Sequence, residues 1–459
     1  MMAYPETKVE AQQHVTGQVI TPADTDYEQI RRGWNLALDQ YPALILVAAT
    51  AQDVVTGVRF ANQQGLGIAI RATGHGVQYP ADDNLLIVTS RLTGVEVDVK
   101  NRTVRVEAGA KWQQVLAQVT PHGLAPLLGS SPYVGVTGYT LGGGIGWLAR
   151  KYGLAADSVR RIEVVTADGV LRQASATENS DLFWGLRGGG GNFGVVTALE
   201  FGLYPVPTIY GGNLIYSGEN ALDGLRFYRD WVKTAPDELT SSIAIIKFPN
   251  APQLPEALRG KIQVILRAAY TGSAADGQAY IQKWVDWREP LTNTFHEMPF
   301  AEIGTISNDP VDPAAGYGSN EMFNELSDAA IATIVRRATD PASPLVMAEL
   351  RHAGGAIARV AADANAIGNR DASFYFQIGG PLFTPEAKTA SIAYIRQFKA
   401  DLKPYLRGGV YLNFMSGDEV TSRTQDAYRP ESYQRLRALK AKYDPDNRFR
   451  YSYQLVTSA

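Results

Sequence analysis

Short apolar runs separated by an amphipathic stretch characterise the first part of the chain. Residues 43–47 and 66–71 are apolar or alternating runs that end at turn residues, a pattern typical of buried strands. The residues between them have helical spacing, with Thr50 as the expected N-cap and Gly65 as the expected residue just past the C-terminus. Residues 43–71 are therefore predicted to form a β-α-β unit with parallel strands.

The same patterns predict further elements in this half. Alternation at 95–98 and 103–106 predicts an antiparallel hairpin, and residues 112–119 have the apolar spacing of a helix. Apolar residues also recur at helical spacing over 27–38. We therefore predict helices at 112–119 and 27–38.

The pattern changes at about residue 205 to longer alternating strands and amphipathic helices. This composition predicts an α+β domain on an antiparallel sheet, suited to cover a substrate. The tail from residue 430 to 455 then returns to a helical pattern. Within the changed region we predict strands at 242–247, 261–270 and 373–378 and helices at 222–234, 274–284, 328–336 and 385–399.

Composition narrows the possible chemistry. The chain has 459 residues, enough for two or three cores, and its net charge of −3 favours neither nucleic acid nor a membrane as partner. The absence of cysteine excludes disulfides, thiolate metal sites, cysteine nucleophiles and thioether-linked cofactors. There is no metal-ligand cluster and no run of 18 apolar residues, so we expect a metal-free cytoplasmic protein, monomeric or homodimeric.

Three glycine-rich stretches interrupt the regular elements. His75 lies between Gly74 and Gly76, in a turn that can bring backbone N–H groups to a bound ligand. Glycines interleaved with apolar residues over 132–147 predict irregular backbone packed flat against a planar or anionic ligand. The stretch 184–196 has GxGxxG-like spacing, but a strand follows it instead of a helix, so a Rossmann interpretation is rejected.

Five motifs in a fixed order carry a family resemblance. They are R-x-x-G-H at 71–75, G-G-G-x-G at 142–146, K-Y-G-L-A-A-D at 151–157, G-N-F-G-V-V-T at 191–197 and Y-D-P-D-N-x-F-R at 443–450. Together they resemble the vanillyl-alcohol-oxidase-type FAD-linked oxidases, in particular the berberine-bridge-enzyme-like group.

The resemblance implies a fold and a division of the chain. The expected class is α+β, with a vanillyl-alcohol-oxidase-type FAD-binding domain in two parts and an inserted α+β substrate domain built on an antiparallel sheet. The first part would span residues 1–208 and the C-terminal return 416–459. The substrate-binding domain would span residues 209–415.

The resemblance also implies how FAD is held. His75 matches the histidine that such proteins join to the flavin 8α carbon, and Ser131 replaces the cysteine of a second link, so one covalent bond is expected. Backbone N–H groups around Arg71, Thr73, Gly74 and Gly76 would cradle the pyrophosphate. The other residues expected at the cofactor are Gly138, Leu141, Gly142, Gly143, Gly146, Asp157, Gly194, Val196, Asn413 and Asn447.

Candidate catalytic residues follow from the same comparison. Tyr411 lies in a segment that covers the reacting flavin face in relatives, and Tyr453 and Tyr375 are further candidates, although each could be a core aromatic residue. A tyrosine base needs a neighbouring cation or dipole that lowers its pKa. Glu349 stands where relatives that oxidise pyridine amines have a carboxylate, but their neighbouring lysine is Met347 here. Glu349 is therefore a candidate for orienting a polar or cationic substrate.

The expected reaction is an oxidation of a small molecule. An alcohol, sugar, amine or secondary metabolite would give a hydride to flavin N5, a base would take the proton, and molecular oxygen would become hydrogen peroxide. Two alternatives stay open: a dehydrogenase of the same fold with another electron acceptor, and a flavin-carrying binding protein without turnover.

Overall fold

The structure is a computed structural model that describes residues 8, 11–76, 79–250, 252, 256, 258–382 and 384–455. Its strands are β1 (Gln18–Ile20), β2 (Leu44–Val47), β3 (Ile68–Arg71), β4 (Leu85–Val88), β5 (Val95–Asp98), β6 (Thr103–Glu107), β7 (Leu124–Ala125), β8 (Val159–Val165), β9 (Leu171–Ser175), β10 (Val195–Gly202), β11 (Tyr204–Pro205), β12 (Thr208–Ser217), β13 (Leu239–Lys247), β14 (Ile262–Tyr270), β15 (Thr292–Asn293), β16 (His296–Pro299), β17 (Gly316–Phe323), β18 (Met347–His352) and β19 (Phe374–Pro381).

The α-helices alternate with these strands and cluster most densely after residue 220. They are α1 (Tyr27–Ile30), α2 (Ala51–Gln64), α3 (Trp112–Val119), α4 (Val136–Leu141), α5 (Ala149–Tyr152), α6 (Ser180–Leu186), α7 (Ala221–Trp231), α8 (Ala274–Trp287), α9 (Asp328–Ala338), α10 (Ala356–Arg359), α11 (Pro385–Leu402), α12 (Glu419–Ser422) and α13 (Pro430–Tyr443). Within the described ranges, none is both long and apolar enough to cross a bilayer.

A four-stranded sheet in the order β1-β2-β4-β3 begins the fold. Strands β2 and β3 both pair in parallel with β4. The predicted parallel β-α-β unit is therefore confirmed, but β4 lies between its two strands, which do not pair with each other. Helix α2 begins at a capping box of Thr50 and Asp53 and ends at Gly65 in the left-handed region with φ 70°. Both predicted helix ends are confirmed.

A second, antiparallel sheet has the order β5-β6-β10-β8-β9 and contains the predicted hairpin. Strand β10 directly follows the third glycine stretch, which agrees with rejecting a Rossmann interpretation. The C-terminal tail joins this part of the molecule, since Leu436 and Leu439 of α13 belong to the same hydrophobic core as Trp112. Buried Lys440 bonds Asp444 at 2.6 Å and the Phe449 carbonyl at 3.1 Å, which fixes the turn after α13.

The third sheet is the largest and is antiparallel throughout. Its eight strands follow the order β15-β12-β14-β13-β18-β19-β17, with β16 beside β12. Side chains such as Ile243, Leu266 and Leu350 on one face share a core with helices α7, α8, α9 and α11. Because strand side chains alternate, their neighbours Ser242, Arg267 and Glu349 point away from those helices.

Two predictions about local structure are wrong. The predicted helix at 27–38 ends after Ile30. The following backbone instead bonds residues 71–76, the histidine loop: Trp34 N–H donates to the Thr73 carbonyl at 2.9 Å and Asn35 N–H to the Gly74 carbonyl at 3.2 Å. The second glycine stretch does contain a helix, α4, before its irregular glycines. In both segments tertiary contacts override the local pattern.

Candidate active site

A cavity of about 490 Å³ lies between the rest of the fold and the face of the large sheet that carries Arg267 and Glu349. We call this face the cavity-facing side of the sheet. Its walls come from the histidine loop, the segment around Gly138, the glycines before β10, the C-terminal tail and the large sheet. The cavity brings together thirteen of the nineteen predicted site residues: Arg71, Thr73, Gly74, His75, Gly76, Gly138, Leu141, Gly194, Val196, Glu349, Tyr411, Asn413 and Tyr453.

The histidine loop has the backbone of an anion-binding turn. Gly74 has φ 85°, and a Cβ there would lie 2.6 Å from the Cα atom of Gly33, so only glycine fits. Among the described residues, no acceptor takes a hydrogen bond from the backbone N–H of Thr73, Gly74 or His75. These donors are available to an anionic ligand in the cavity.

The imidazole of His75 is held from two sides. Its Nδ1 lies 2.9 Å from Thr73 Oγ1, and the ring of Trp34 stacks on it with centroids 4.4 Å apart and 13° between the planes. Burial, and then the charge of Lys111, lower the pKa of His75 to about 4. The imidazole is therefore neutral near pH 7, the form with a nucleophilic nitrogen lone pair.

The side chain of Arg71 bonds backbone carbonyl groups of the protein, whereas the prediction concerned backbone N–H groups around Arg71 that would bind the pyrophosphate. Its guanidinium donates to the carbonyls of Arg32, at 2.6 Å, and Ile30. Its own carbonyl accepts from Thr89 N–H at 2.9 Å. The side chain thus ties the segment after α1 to the histidine loop, and burial lowers its pKa to about 10.

Three glycines of the second stretch lie behind the cavity wall, which corrects the prediction that they lie flat against the ligand. A Cβ on Gly142 would be 1.8 Å from Asn413 Oδ1, one on Gly143 would be 3.1 Å from the Tyr411 ring, and one on Gly146 would be 1.7 Å from a backbone carbonyl oxygen. Gly142 and Gly143 are needed because side chains of the active-site wall pack directly on their backbone, and Gly146 is needed because a backbone carbonyl does so.

Two other predicted cofactor residues also lie outside the cavity lining. Asp157 bonds Arg370 at 2.7 Å and accepts the Leu154 N–H at 2.8 Å, so its carboxylate is engaged in holding two loops together. Asn447 adopts φ 50° and its N–H donates to the Asp444 carbonyl at 3.1 Å. Its short polar side chain suits that left-handed turn, so both residues have structural roles.

The three candidate tyrosines are placed differently. Tyr411 lines the cavity, and its hydroxyl accepts the Gly144 N–H at 2.6 Å and an Asn413 amide N–H at 3.4 Å. Burial raises its pKa, against the expectation that a tyrosine base would have a lowered pKa. Tyr453 lines the cavity, whereas Tyr375 stacks behind Tyr411 with centroids 5.5 Å apart and does not line it. The placement of Tyr375 does not support its prediction as a base.

Tyr139 is a cavity residue that the sequence reasoning missed. Its ring packs on Gly129 and Gly144, and its enclosed hydroxyl has no hydrogen-bond partner among the described residues. Burial raises its pKa well above the ordinary value. A single tyrosine inside a glycine run was the available signal, because only glycine neighbours leave room for such a ring.

Glu349 does not have the freedom expected of a group that orients a cation. Its carboxylate lies 2.8 Å from Arg351 and 3.3 Å from Arg267 and accepts the Ser242 hydroxyl at 2.8 Å. Two guanidinium groups already surround it, so a cationic substrate would meet net repulsion there. Arg351 lies two residues after Glu349 on β18, whereas Arg267 lies on β14 and reaches Glu349 only through strand pairing, which one sequence does not reveal.

The hydrogen-bond donors and the wall of the cavity suit FAD. Unbonded N–H groups of the histidine loop suit a pyrophosphate, and Gly190, Gly191 and Gly194 leave an unobstructed wall for a planar ring. Within the described ranges no group of three or more acidic or histidine side chains could hold a metal ion.

Comparison with known proteins agrees with this fit. The family model described as FAD binding domain matches residues 42–175, and the one described as berberine and berberine like matches residues 410–453. (R)-6-hydroxynicotine oxidase of Paenarthrobacter nicotinovorans is 28% identical, covering 96% of this chain and 97% of that protein. Glucooligosaccharide oxidase of Sarocladium strictum is also 28% identical, covering 94% of this chain and 92% of that protein.

A solved structure shares the whole fold. The crystal structure of 6-hydroxy-D-nicotine oxidase from Arthrobacter nicotinovorans superposes with a TM-score of 0.83 at 23% identity, covering 96% of this chain and 98% of that one. The predicted fold class and family resemblance are confirmed. The chain is an FAD-linked oxidoreductase in which one family model matches the FAD-binding domain and another matches the berberine-like segment.

Proposed function

We propose that the protein is an FAD-dependent oxidase whose flavin is attached to His75 alone. It takes a hydride from a C–H bond of an alcohol, sugar, amine or secondary metabolite and passes the electrons to molecular oxygen, giving hydrogen peroxide. The observation that carries the proposal is the single cavity shared by the neutral imidazole of His75, the N–H groups beside it and the enclosed hydroxyl of Tyr411.

Attachment at His75 is chemically balanced with oxygen as oxidant. His75 would hold the flavin through one C–N bond formed in place of an 8α C–H and the imidazole N–H, and oxygen would take up the two electrons and two protons released to give hydrogen peroxide. Trp34 and Thr73 hold the ring while its nitrogen reacts. Ser131 lines the cavity but offers a hydroxyl instead of a thiol, so no second link forms there.

Bound FAD supplies the hydride acceptor, at its N5 atom. The chain's own contribution is to position the substrate and to receive the proton. Two N–H donors, from Gly144 and Asn413, meet the Tyr411 oxygen and stabilise negative charge on it. Because burial nevertheless raises the pKa of Tyr411, the phenol carries its own proton near neutral pH. We propose that only the fraction of Tyr411 that has lost this proton to solvent, a phenolate stabilised by the two donors, accepts the substrate's proton as the hydride leaves.

Asn413 connects the two walls of this site. Its amide donates to the Tyr139 carbonyl at 2.9 Å as well as to the Tyr411 hydroxyl. The amide thereby fixes the phenol of Tyr411 relative to helix α4. We propose that Asn413 positions Tyr411 and does not itself carry a proton.

The proposal is tested by reducing the enzyme without oxygen. A panel of alcohols, sugars and amines is mixed anaerobically with the holoenzyme, and the absorbance of oxidised flavin is followed before and after air is admitted. We expect bleaching by at least one compound, and recovery in air with one hydrogen peroxide per flavin. Recovery only with a dye acceptor would make the protein a dehydrogenase, and absence of bleaching would favour a binding protein.

A further inference from the structure

Four polar side chains form a cluster on the cavity-facing side of the large sheet. Strand β13 lies between β14 and β18, and its Ser242 is directly opposite Arg267 on one neighbour and Arg351 on the other. Glu349 is two residues before Arg351 and therefore on the same face. The three charged residues line the same cavity as His75.

The charges of this cluster do not balance. Two guanidinium groups share the single carboxylate of Glu349, whose side chain is only 1% exposed. Burial opposes ionisation of Glu349, but Arg351 and Arg267 keep its pKa below the ordinary value, so the carboxylate stays charged. The cluster has one positive charge in excess, facing a cavity where charges are poorly screened.

The other carboxylate at this end of the cavity is engaged elsewhere. Asp309 lines the cavity and accepts the hydroxyl of Ser130 at 2.5 Å. It lies close enough to influence Arg351 electrostatically, but no ion pair joins it to either arginine among the described residues. The excess positive charge of the cluster therefore lacks a dedicated partner.

Arg267 also has an unused donor. The Nε atom of Arg267 is buried and has no hydrogen-bond partner among the described residues. An enclosed donor left without an acceptor is costly, and a ligand oxygen removes that cost. Arg267 and Arg351 are 12% and 20% exposed, so they are enclosed by the protein but still reachable from the cavity.

The cluster is adjacent to the proposed proton acceptor. The guanidinium carbon of Arg351 lies 5.0 Å from the ring centroid of Phe414, and that ring meets the Tyr411 ring edge-on with centroids 4.9 Å apart. A substrate group held by Arg351 is thus separated from the Tyr411 site by the width of one aromatic ring. This spacing suits one small molecule that contacts both places.

We propose that Arg267 and Arg351 anchor a carboxylate group of the substrate, so that the enzyme oxidises hydroxy acids or sugar acids. Glu349 holds the two guanidinium groups in place and is not a cation receptor. The carboxylate itself is unchanged: a CH–OH group elsewhere in the molecule becomes C=O while oxygen becomes hydrogen peroxide. This inference rests on the proposed oxidase function.

The test compares acids with matched neutral compounds. The oxidised holoenzyme is titrated with glucuronate against glucose, galacturonate against galactose, and mandelate against phenylethanediol, and binding is read from the perturbation of flavin absorbance. For any compound that bleaches the flavin, kcat/KM is also measured. We expect at least one acid to bind at least tenfold more tightly than its neutral partner.

Substitutions in the cluster test whether it causes the preference for acids. Arg351→Gln and Arg267→Gln should each weaken acid binding at least tenfold and leave the binding of neutral compounds within twofold. Glu349→Gln removes the competing negative charge and should tighten acid binding severalfold, the opposite direction from a damaged site. Arg396→Gln, at an arginine that is 71% exposed, is the matched control and should change neither.

The inference and the oxidase proposal fail in different ways. Equal or weaker binding of every acid relative to its neutral partner overturns the carboxylate anchor, even if neutral substrates bleach the flavin and yield peroxide. Equal losses for acidic and neutral compounds in Arg351→Gln, together with a lowered flavin reduction potential, would assign the arginine to the flavin and also overturn it. Absence of bleaching by any compound instead contradicts the oxidase proposal. The ratio of acid binding to neutral binding still tests whether Arg267 and Arg351 bind a carboxylate.

Discussion

The ring of Trp34 stacks on the imidazole of His75, with centroids 4.4 Å apart and 13° between the planes. The same residue connects distant parts of the molecule, because its backbone N–H bonds the Thr73 carbonyl at 2.9 Å and its indole N–H bonds the Val311 carbonyl at 3.0 Å. The segment after α1 thus fixes the orientation of the histidine proposed to carry the flavin.

Loss of this stack should slow flavin attachment. Trp34→Ala removes the surface against which the imidazole lies and frees its rotamers, so we expect a severalfold smaller share of covalently bound flavin after expression. Trp34→Phe keeps an aromatic face and should restore most of it. The share is measured by flavin fluorescence of the denatured protein band. Equal attachment in Trp34→Ala and wild type would show that the stack has no positioning role.

The pH dependence of attachment should report the lowered pKa of His75. Burial brings that pKa from 6.5 to about 4, so the neutral imidazole persists as pH falls from 7 to 5. The apoprotein should therefore attach added FAD at an undiminished rate down to about pH 5. The unfolded chain binds the proton more readily between about pH 6.5 and 4, so His75 makes the apoprotein less stable as pH falls through that window.

A charge variant provides the control for this pH profile. Lys111→Gln removes the positive charge that contributes to the shift, so its midpoint of attachment should move to higher pH. A wild-type midpoint near 6.5, unchanged in Lys111→Gln, would contradict the lowered pKa.

The hydroxyl of Tyr411 should matter for turnover, and that of Tyr375 should not. Tyr411→Phe removes the proposed proton acceptor and should lower kcat by about 10²–10⁴-fold while the flavin stays bound. Tyr375→Phe is a matched control, since its hydroxyl is also buried, has no partner among the described residues and does not line the cavity. Its kcat should stay within about threefold of wild type. Similar losses in both variants would point to packing instead of proton transfer.

Glycines of the second stretch should differ sharply in their tolerance of a side chain. A Cβ at position 146 would lie 1.7 Å from a backbone carbonyl oxygen, so Gly146→Ala should lower the free energy of unfolding by about 1–3 kcal/mol or more. Gly138 lies in helix α4, with no atom within 4 Å of an added Cβ. Gly138→Ala should be neutral or slightly stabilising. Denaturant unfolding checks both, and equal destabilisation would contradict the packing account.

The sequence sufficed where structure depends on neighbouring residues. The capping box of Thr50 and the left-handed Gly65 are local features, and the structure has both. Alternation likewise predicted strands β13 and β14 to within a few residues, although their order in the sheet was not predictable. Local pattern failed after Ile30, where hydrogen bonds to the histidine loop replace those of a helix.

The candidate site was predictable only in part, for the same reason. Motifs of consecutive residues located the histidine loop and the glycine stretches. The meeting of Arg267, Glu349 and Arg351 depends on the register of three strands, which one sequence does not reveal. The role of Gly142 was misjudged because the side chain that needs its space, Asn413, lies far along the chain.

The single covalent bond proposed between His75 and the flavin can be tested directly. The measurement is flavin fluorescence retained by the polypeptide after acid denaturation, in wild type, His75→Ala and the exposed-histidine control His296→Ala. We expect flavin to be retained in wild type and in His296→Ala and to be released completely from His75→Ala. Flavin released from wild type, or retained by His75→Ala, would contradict a covalent bond at His75.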